Sequence, residues 1–321
     1  MSLSLTEKQP MLGPYDLGAG LKLRNRVVMA RMTRARADNP SLTSATSTES
    51  HSANHRQRAG AGLIVSEGTW ISTEAVGAVN VPGMYGLKQA RAWRPVTSAV
   101  HAEGGAIFAQ LAHTGAASHP VTREALGTAR IAGVVEQYRS AASNARLAGF
   151  DGVELDAQRG CLIAQFLDPA PNPRTDAYGG TAEGRARLLF AVLDAVVGVW
   201  GPHRVGVKLA PHQVRGESNE ASPEALAVHE QVAVRLNDYP LAYLHVMTAR
   251  RPDARVTEAR RRESLGLFRP LYRGTLIANA SLDQESGNAV VSEGLADLVS
   301  FAALSISNPD LPQRFEQLIS T

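Results

Sequence analysis

Short apolar or β-branched runs recur along the chain, at positions 27–30, 62–67, 106–111, 152–155, 204–209, 243–246, 275–278 and 298–301. Each is too short for a core helix, and most lead into polar, glycine or proline residues, so they predict buried strands. Between them apolar positions repeat at helical spacing, most clearly over 88–103, 131–148, 182–199, 223–237 and 309–319. Pro223 and Pro309 suit the first turns of their helices, with Ser222 and Asn308 ahead of them as N-caps. Gly104, Gly105 and Gly149 are placed to stop the helices before them. Strand and helix alternating about eight times predict an α/β fold of the (β/α)8 type, a TIM barrel. The competing open, doubly wound sheet is disfavoured, because no Gly-x-Gly-x-x-Gly turn follows the first strand. No repeat, low-complexity segment or linker interrupts the pattern, so residues 1–321 are expected to form a single domain.

Composition narrows the picture. Apolar residues make up 44% and charged residues 20%, as in ordinary soluble proteins, and a net charge of +3 argues against a nucleic-acid-binding surface. A single cysteine excludes an internal disulfide and suits a reducing compartment. The polar start MSLSLTEKQP and the lack of any apolar run near the ~18 residues of a membrane span predict a cytoplasmic protein without a membrane partner. The expected partner is a small-molecule substrate, with a homo-oligomer left open. No Cys/His/carboxylate spacing suggests a metal site.

In a barrel of this kind the active site lies at the C-terminal ends of the strands. The residues there are Arg31 and Thr33, Glu67, Gln110 and His113, then Asp156, Arg159 and Cys161, followed by Lys208, His245 and Asn279. Asp156 and Lys208 end neighbouring strands and are expected to pair across the mouth. That pair is either a salt bridge filling a cavity or an acid–base set, with the carboxylate as base and Lys208 polarising a carbonyl. For Cys161 an inert role outweighs a nucleophilic one; His113 fits a scaffold role as well as catalysis, and His245 reads as structural or pocket-lining. Arg250, Arg251 and Arg260–Arg262 form a basic loop, read as solvated, with a gate for an anionic substrate as the alternative.

Several long blocks carry a resemblance. NRVVMARMTRARA (25–37), QRAGAGLIVSEGTWIS (57–72), VHAEGGAIFAQLAHTG (100–115) and AGFDGVEL (148–155) resemble the Old Yellow Enzyme family. So do QFLDPAPNPRTDAYGG (165–180), VGVKLAP (205–211) and NPDLPQRF (308–315). The resemblance runs almost the whole length and implies a barrel that binds FMN at its mouth and reduces activated alkenes by hydride transfer. It implies that Thr33 lies near the flavin C4 carbonyl, Gln110 on the pyrimidine edge and Gly68 where the backbone passes close to the ring. Lys208 stands where the family has an arginine, keeping the charge but losing the planar fork of donors.

Other positions depart from the family. Its His-x-x-Asn/His-Gly-Tyr block, which binds the substrate carbonyl and supplies a proton, is here Asp156 to Cys161 with Arg159 between. Its phosphate-binding glycine turn and Gly-Arg pair become Ala278-Asn279-Ala280 and Phe301-Ala302-Ala303. Arg31 replaces a proline, Ala112 and Ala116 replace Trp and Arg, and the connection over 114–130 is shorter than the family's lid. With Arg31, Ala112, His245 and Asn279 lining the altered pocket, the expectation is flavin-independent, non-redox acid/base chemistry on a bulky biosynthetic molecule: isomerisation, cyclisation or elimination. No cofactor is then expected. One alternative is an FMN-dependent ene-reductase with an altered site; the other is a non-catalytic binding barrel.

Overall fold

In the computed structural model, residues 9–38, 44–117, 126–211, 222–247, 258–279 and 281–317 are described, with backbone alone over 258–261. Each expected apolar run contains a strand: β1 Val27–Met29, β2 Leu63–Val65, β3 Ile107–Ala112, β4 Gly152–Ala157, β5 Val205–Leu209, β6 Tyr243–Met247, β7 Leu276–Asn279 and β8 Leu298–Phe301. All pair in parallel in chain order, and β8 returns to β1 through Val299↔Val27, which closes the barrel. A short strand, Thr69–Trp70, adds to β3 after the chain leaves β2. The strands are buried throughout because helices cover their outer faces and side chains fill the inside, hence near-continuous apolar runs instead of alternation.

The helices are α1 Glu49–Arg56, α2 Leu87–Ala102, α3 Thr128–Leu147, α4 Leu162–Leu167, α5 Ala182–Trp200, α6 Pro223–Arg235, α7 Glu258–Leu271, α8 Gln284–Ser292, α9 Ala303–Ser307 and α10 Leu311–Glu316. Ser222 caps α6 by accepting from the Ala225 amide at 3.1 Å, and Gly104 and Gly149 stop α2 and α3 at φ of +68° and +85°. The last helix corrects the sequence expectation. It starts at Leu311 with Pro312 in its first turn, while Asn308 closes α9 by donating to the Leu304 carbonyl at 3.1 Å. Helix α1 carries no apolar stripe. It buries His51, Asn54 and His55, a face that hydrophobic periodicity does not mark. Among the described residues no helix is long and apolar enough to cross a membrane.

Packing at the base of the barrel fixes where the polar mouth begins. Phe108 on β3 and Tyr243 on β6 pack with ring centroids 5.6 Å apart across the interior. Their strand neighbours are glycines: a Cβ on Gly152 would strike the Phe108 ring, and one on Gly206 the Tyr243 ring. Large rings opposite empty positions fill the taper without voids. A hairpin of Tyr15–Asp16 with Lys22–Leu23 brings Leu17 and Leu23 against Val28, Leu63 and Leu298 beneath them.

Candidate active site

Above that apolar plug the strands carry polar side chains inward. Gln110 stands opposite Glu154 in the β3–β4 register, and Lys208 opposite His245 in the β5–β6 register. Glu154 is fully enclosed and accepts from Gln110 Nε2 at 2.6 Å and His245 Nδ1 at 2.8 Å. His245 Nε2 lies 2.8 Å from Ser300 Oγ, which accepts from Asn279 Nδ2 at 2.7 Å. One acceptor-only group sets the polarity of this chain. Ionised Glu154 requires a donor from each neighbour, so His245 carries a proton on Nδ1, while Ser300 Oγ lies between His245 Nε2 and the Ala278 carbonyl, to which it donates at 3.2 Å. The same logic turns the Gln110 amide. Its nitrogen faces Glu154, so Oε1 faces away, buried and without a hydrogen-bond partner among the described residues.

The electrostatics follow from this geometry. Burial alone raises the Glu154 carboxyl, but the His245 ring and its hydrogen bond, the Lys208 charge and the Gln110 amide together hold it down at about 2. Burial and the Lys208 charge lower the His245 pKa against the opposing pull of Glu154, in keeping with a neutral imidazole. Burial also lowers the Lys208 pKa, with Glu154 the largest opposing influence.

The expected ion pair between Asp156 and Lys208 does not form. The two are register partners, but the Asp156 carboxylate accepts from Gln158 N at 3.3 Å and Gln158 Nε2 at 3.1 Å. Its cation is Arg31, with Nη1 at 3.6 Å. Arg159 is exposed and stands outside this cluster, because the chain turns away at Gly160 with φ of +91°. Cys161 is buried at the N-cap of α4; burial and Asp156 push its thiol well above its ordinary value, which disfavours the thiolate that a nucleophile needs. His113 Nδ1 accepts from the Gly115 amide at 2.9 Å, and burial lowers its pKa to about 4. It closes the turn after β3 and does not line the mouth cavity. His245 lies beneath the cavity within the Glu154 network. The basic loop at Arg250 and Arg251 falls outside the described residues, as do the side chains of Arg260 and Arg261.

The mouth encloses a cavity of about 780 Å³, lined by Arg31, Thr33, Gln158, Lys208, Asn279 and Ser300 together with residues 281–283 and 301–304. Gly68 faces Arg31, Gln110 and Ala112: a Cβ there would lie 2.5 Å from Arg31 Nη1, 3.4 Å from Gln110 Oε1 and 3.7 Å from the Ala112 methyl. The volume falls within the range of small-molecule and cofactor sites. The Gln110 acceptor, without a hydrogen-bond partner among the described residues, suits an N–H donor in a planar ring edge, and the Gly68 backbone lies beside it with Arg31 Nη1 against that glycine. Lys208 adds a cation facing the same space. These residues fit a flavin ring. Toward β7 and β8 the described lining is Asn279, Ser281, Leu282, Asp283 and Ser300 with residues 301–304, which brings no cation for a phosphate and one carboxylate, that of Asp283.

Sequence reasoning passed over Glu154 and Ser300. Glu154 sits inside the AGFDGVEL block and looks like a strand residue, and nothing local announces that its carboxylate orients Gln110 from the adjacent strand. An acidic residue at a fully buried strand position was the available signal.

A closed eight-stranded parallel barrel with a polar cavity at its mouth is an architecture shared by barrel oxidoreductases. The chain belongs to the NADH:flavin oxidoreductase / NADH oxidase family, whose profile matches residues 10–128 and 117–321. It is 38% identical to putative 12-oxophytodienoate reductase 3 of Oryza sativa over 96% of this chain and 85% of that protein. It is 37% identical to rice 12-oxophytodienoate reductase 1, over 96% and 86% respectively. Among solved structures, morphinone reductase superposes with a TM-score of 0.88 at 35% identity, covering 100% of this chain and 92% of that one. The Old Yellow Enzyme homologue of Zymomonas mobilis gives 0.85 at 31% identity, covering 97% and 93%.

These likenesses overturn the expectation of flavin-independent, non-redox chemistry without a cofactor. Reductases at this identity, matched along nearly the whole chain, outweigh an argument from substituted positions at the mouth. That argument treated each lost donor separately. In the folded chain Gln110 is held in orientation from below by Glu154.

Proposed function

We propose that this chain is an FMN-dependent ene-reductase that takes its reducing equivalents from a nicotinamide. Bound FMN would supply the hydride that reduces the C=C bond of an activated alkene. Gln110 offers Oε1 to the pyrimidine edge, and Glu154 fixes its amide in that sense. Gly68 lets the backbone pass close to the ring, and Thr33 lines the same wall. Lys208 provides positive charge where a reduced flavin accumulates negative charge, as a point charge without the fork of an arginine. Asp156, held by Gln158 and Cys161, forms the substrate side of the mouth, where Gln158 lines the cavity. Cys161 keeps its proton on Sγ and lends a hydrogen bond to that carboxylate.

The observation that carries this reading is the buried Gln110 Oε1, which has no hydrogen-bond partner among the described residues and stands near the Gly68 backbone. Reconstitution with FMN tests it. The protein should retain stoichiometric flavin after gel filtration, and NADH should bleach the visible flavin band anaerobically. Gln110→Leu should weaken FMN binding about tenfold, the worth of one buried hydrogen bond whose partner is left unpaired. A protein that takes up no flavin at micromolar concentrations refutes the proposal.

A further inference from the structure

Arg31 is the charged residue of the described mouth lining nearest Gly68, and the flavin-binding reading gives it no task. Its side chain is 26% exposed and lines the cavity, with Nη1 beside Gly68 and Gln110. A guanidinium carries five N–H donors in a planar fork and seeks acceptors in pairs. Among the described residues Arg31 makes no hydrogen bond. Its one ion-pair partner, Asp156, stands 3.6 Å away, beyond hydrogen-bond length. Asp156 is fully buried, and its oxygens are already engaged by the Gln158 backbone and side-chain amides and by the Cys161 thiol. The carboxylate therefore compensates the Arg31 charge without consuming its donors.

We propose that Arg31 is the anchor for a carboxylate on the substrate, so that this mouth selects alkenes bearing an anionic group. The proposal rests on the ene-reductase reading for what happens to the alkene, but the anion site stands on Arg31 alone. A carboxylate fits because its two oxygens match two parallel N–H donors, and because Arg31 faces the open mouth while Asp156 is hidden behind it. Location separates this anion from a flavin phosphate. Arg31 neighbours Gly68 and Gln110 at the ring end, whereas the cavity's other end is built from Asn279 and residues 281–283.

Calorimetric titration with trans-cinnamate and its neutral isostere trans-cinnamamide tests the site, on the FMN-loaded protein and on the flavin-free protein. Wild type should prefer the carboxylate by about tenfold or more, as a charge-assisted bidentate pair requires. Arg31→Met should abolish that preference while leaving cinnamamide binding unchanged, and Arg31→Lys should restore part of it, keeping the charge without the fork. If Arg31→Met does not fold, Arg31→Gln takes its place. Equal affinities for the two probes in wild type, or a preference that survives loss of the guanidinium, would overturn the proposal. Flavin uptake is read separately by absorbance. A protein that binds cinnamate through Arg31 but no FMN sinks the ene-reductase reading alone.

Discussion

Replacing Glu154 by glutamine changes one oxygen to an NH2 group and removes one charge from the floor of the mouth. The wild-type carboxylate receives donors from both sides, Gln110 Nε2 at 2.6 Å and His245 Nδ1 at 2.8 Å. A glutamine offers one acceptor and one donor, so one neighbour must turn. Gln110 is free to do so by rotating its amide, which would swing its NH2 toward the cavity and reverse the polarity presented to a ligand. The energetic cost follows from two routes. Holding the Glu154 carboxyl at about 2 rather than its ordinary 4.5 corresponds to about 3 kcal/mol at neutral pH. Removing one member of a buried charge set typically costs about 3–5 kcal/mol, because the partner, here Lys208, is left uncompensated.

Glu154→Gln should therefore lose about 3 kcal/mol in equilibrium urea unfolding of the flavin-free protein at pH 7, followed by far-ultraviolet circular dichroism and tryptophan fluorescence. The double variant Glu154→Gln/Lys208→Met should be less destabilised than Glu154→Gln alone, since the stranded ammonium is gone. A single variant within about 1 kcal/mol of wild type, or a double variant that is worse, would refute the assignment of Glu154 as the countercharge of this layer.

Two further outcomes follow from the buried titratable groups. His55 and His113 are held neutral, burial lowering each pKa from 6.5 to about 4. Their folded values lie below the unfolded one, so stability is full above pH 6.5 and declines as pH falls toward 4, by about 3 kcal/mol for each histidine. Urea midpoints measured from pH 7.5 to 4.5 should show that decline, shallower in His55→Gln, and a flat profile would contradict it. The buried Cys161 thiol, with its raised pKa, should resist Ellman's reagent in the native protein and react fully once unfolded. Rapid labelling without unfolding would place it in an accessible, activated setting after all.

The barrel was legible because strands buried on both faces leave continuous apolar runs, and each of the eight runs proved to hold a strand. Helix α1 was not, since its inward face is made of His51, Asn54 and His55, whose burial depends on partners such as the Trp93 ring 5.9 Å from His51. In the site, the strand ends supplied the right neighbourhood for Arg31, Gln110, Asp156 and Lys208. What they could not supply was pairing. Register placed Asp156 opposite Lys208, but the choice of Arg31 as its cation depends on side-chain reach across strands that lie far apart in sequence. The functional misjudgement had a similar root. Substituted positions were weighed singly, whereas the orientation of Gln110 depends on Glu154 and His245, neither of which had drawn notice as its support.

The glycine-and-aromatic plug carries a consequence for proton traffic. Beneath the Glu154 layer Phe108, Tyr243, Leu63, Ile277 and Leu298 are all shut off from solvent, and the polar group they bring, the Tyr243 hydroxyl, is itself buried beside Glu154. Among the described residues the chain Asn279–Ser300–His245–Glu154 is thus a blind alley: one end opens on the mouth and the other ends at the buried Tyr243 hydroxyl and the hydrocarbon around it. Any proton exchanged with His245 must pass through the same opening that admits a ligand. Occupancy of the mouth would then cork the alley, trapping whatever protonation state the histidine held when the ligand arrived.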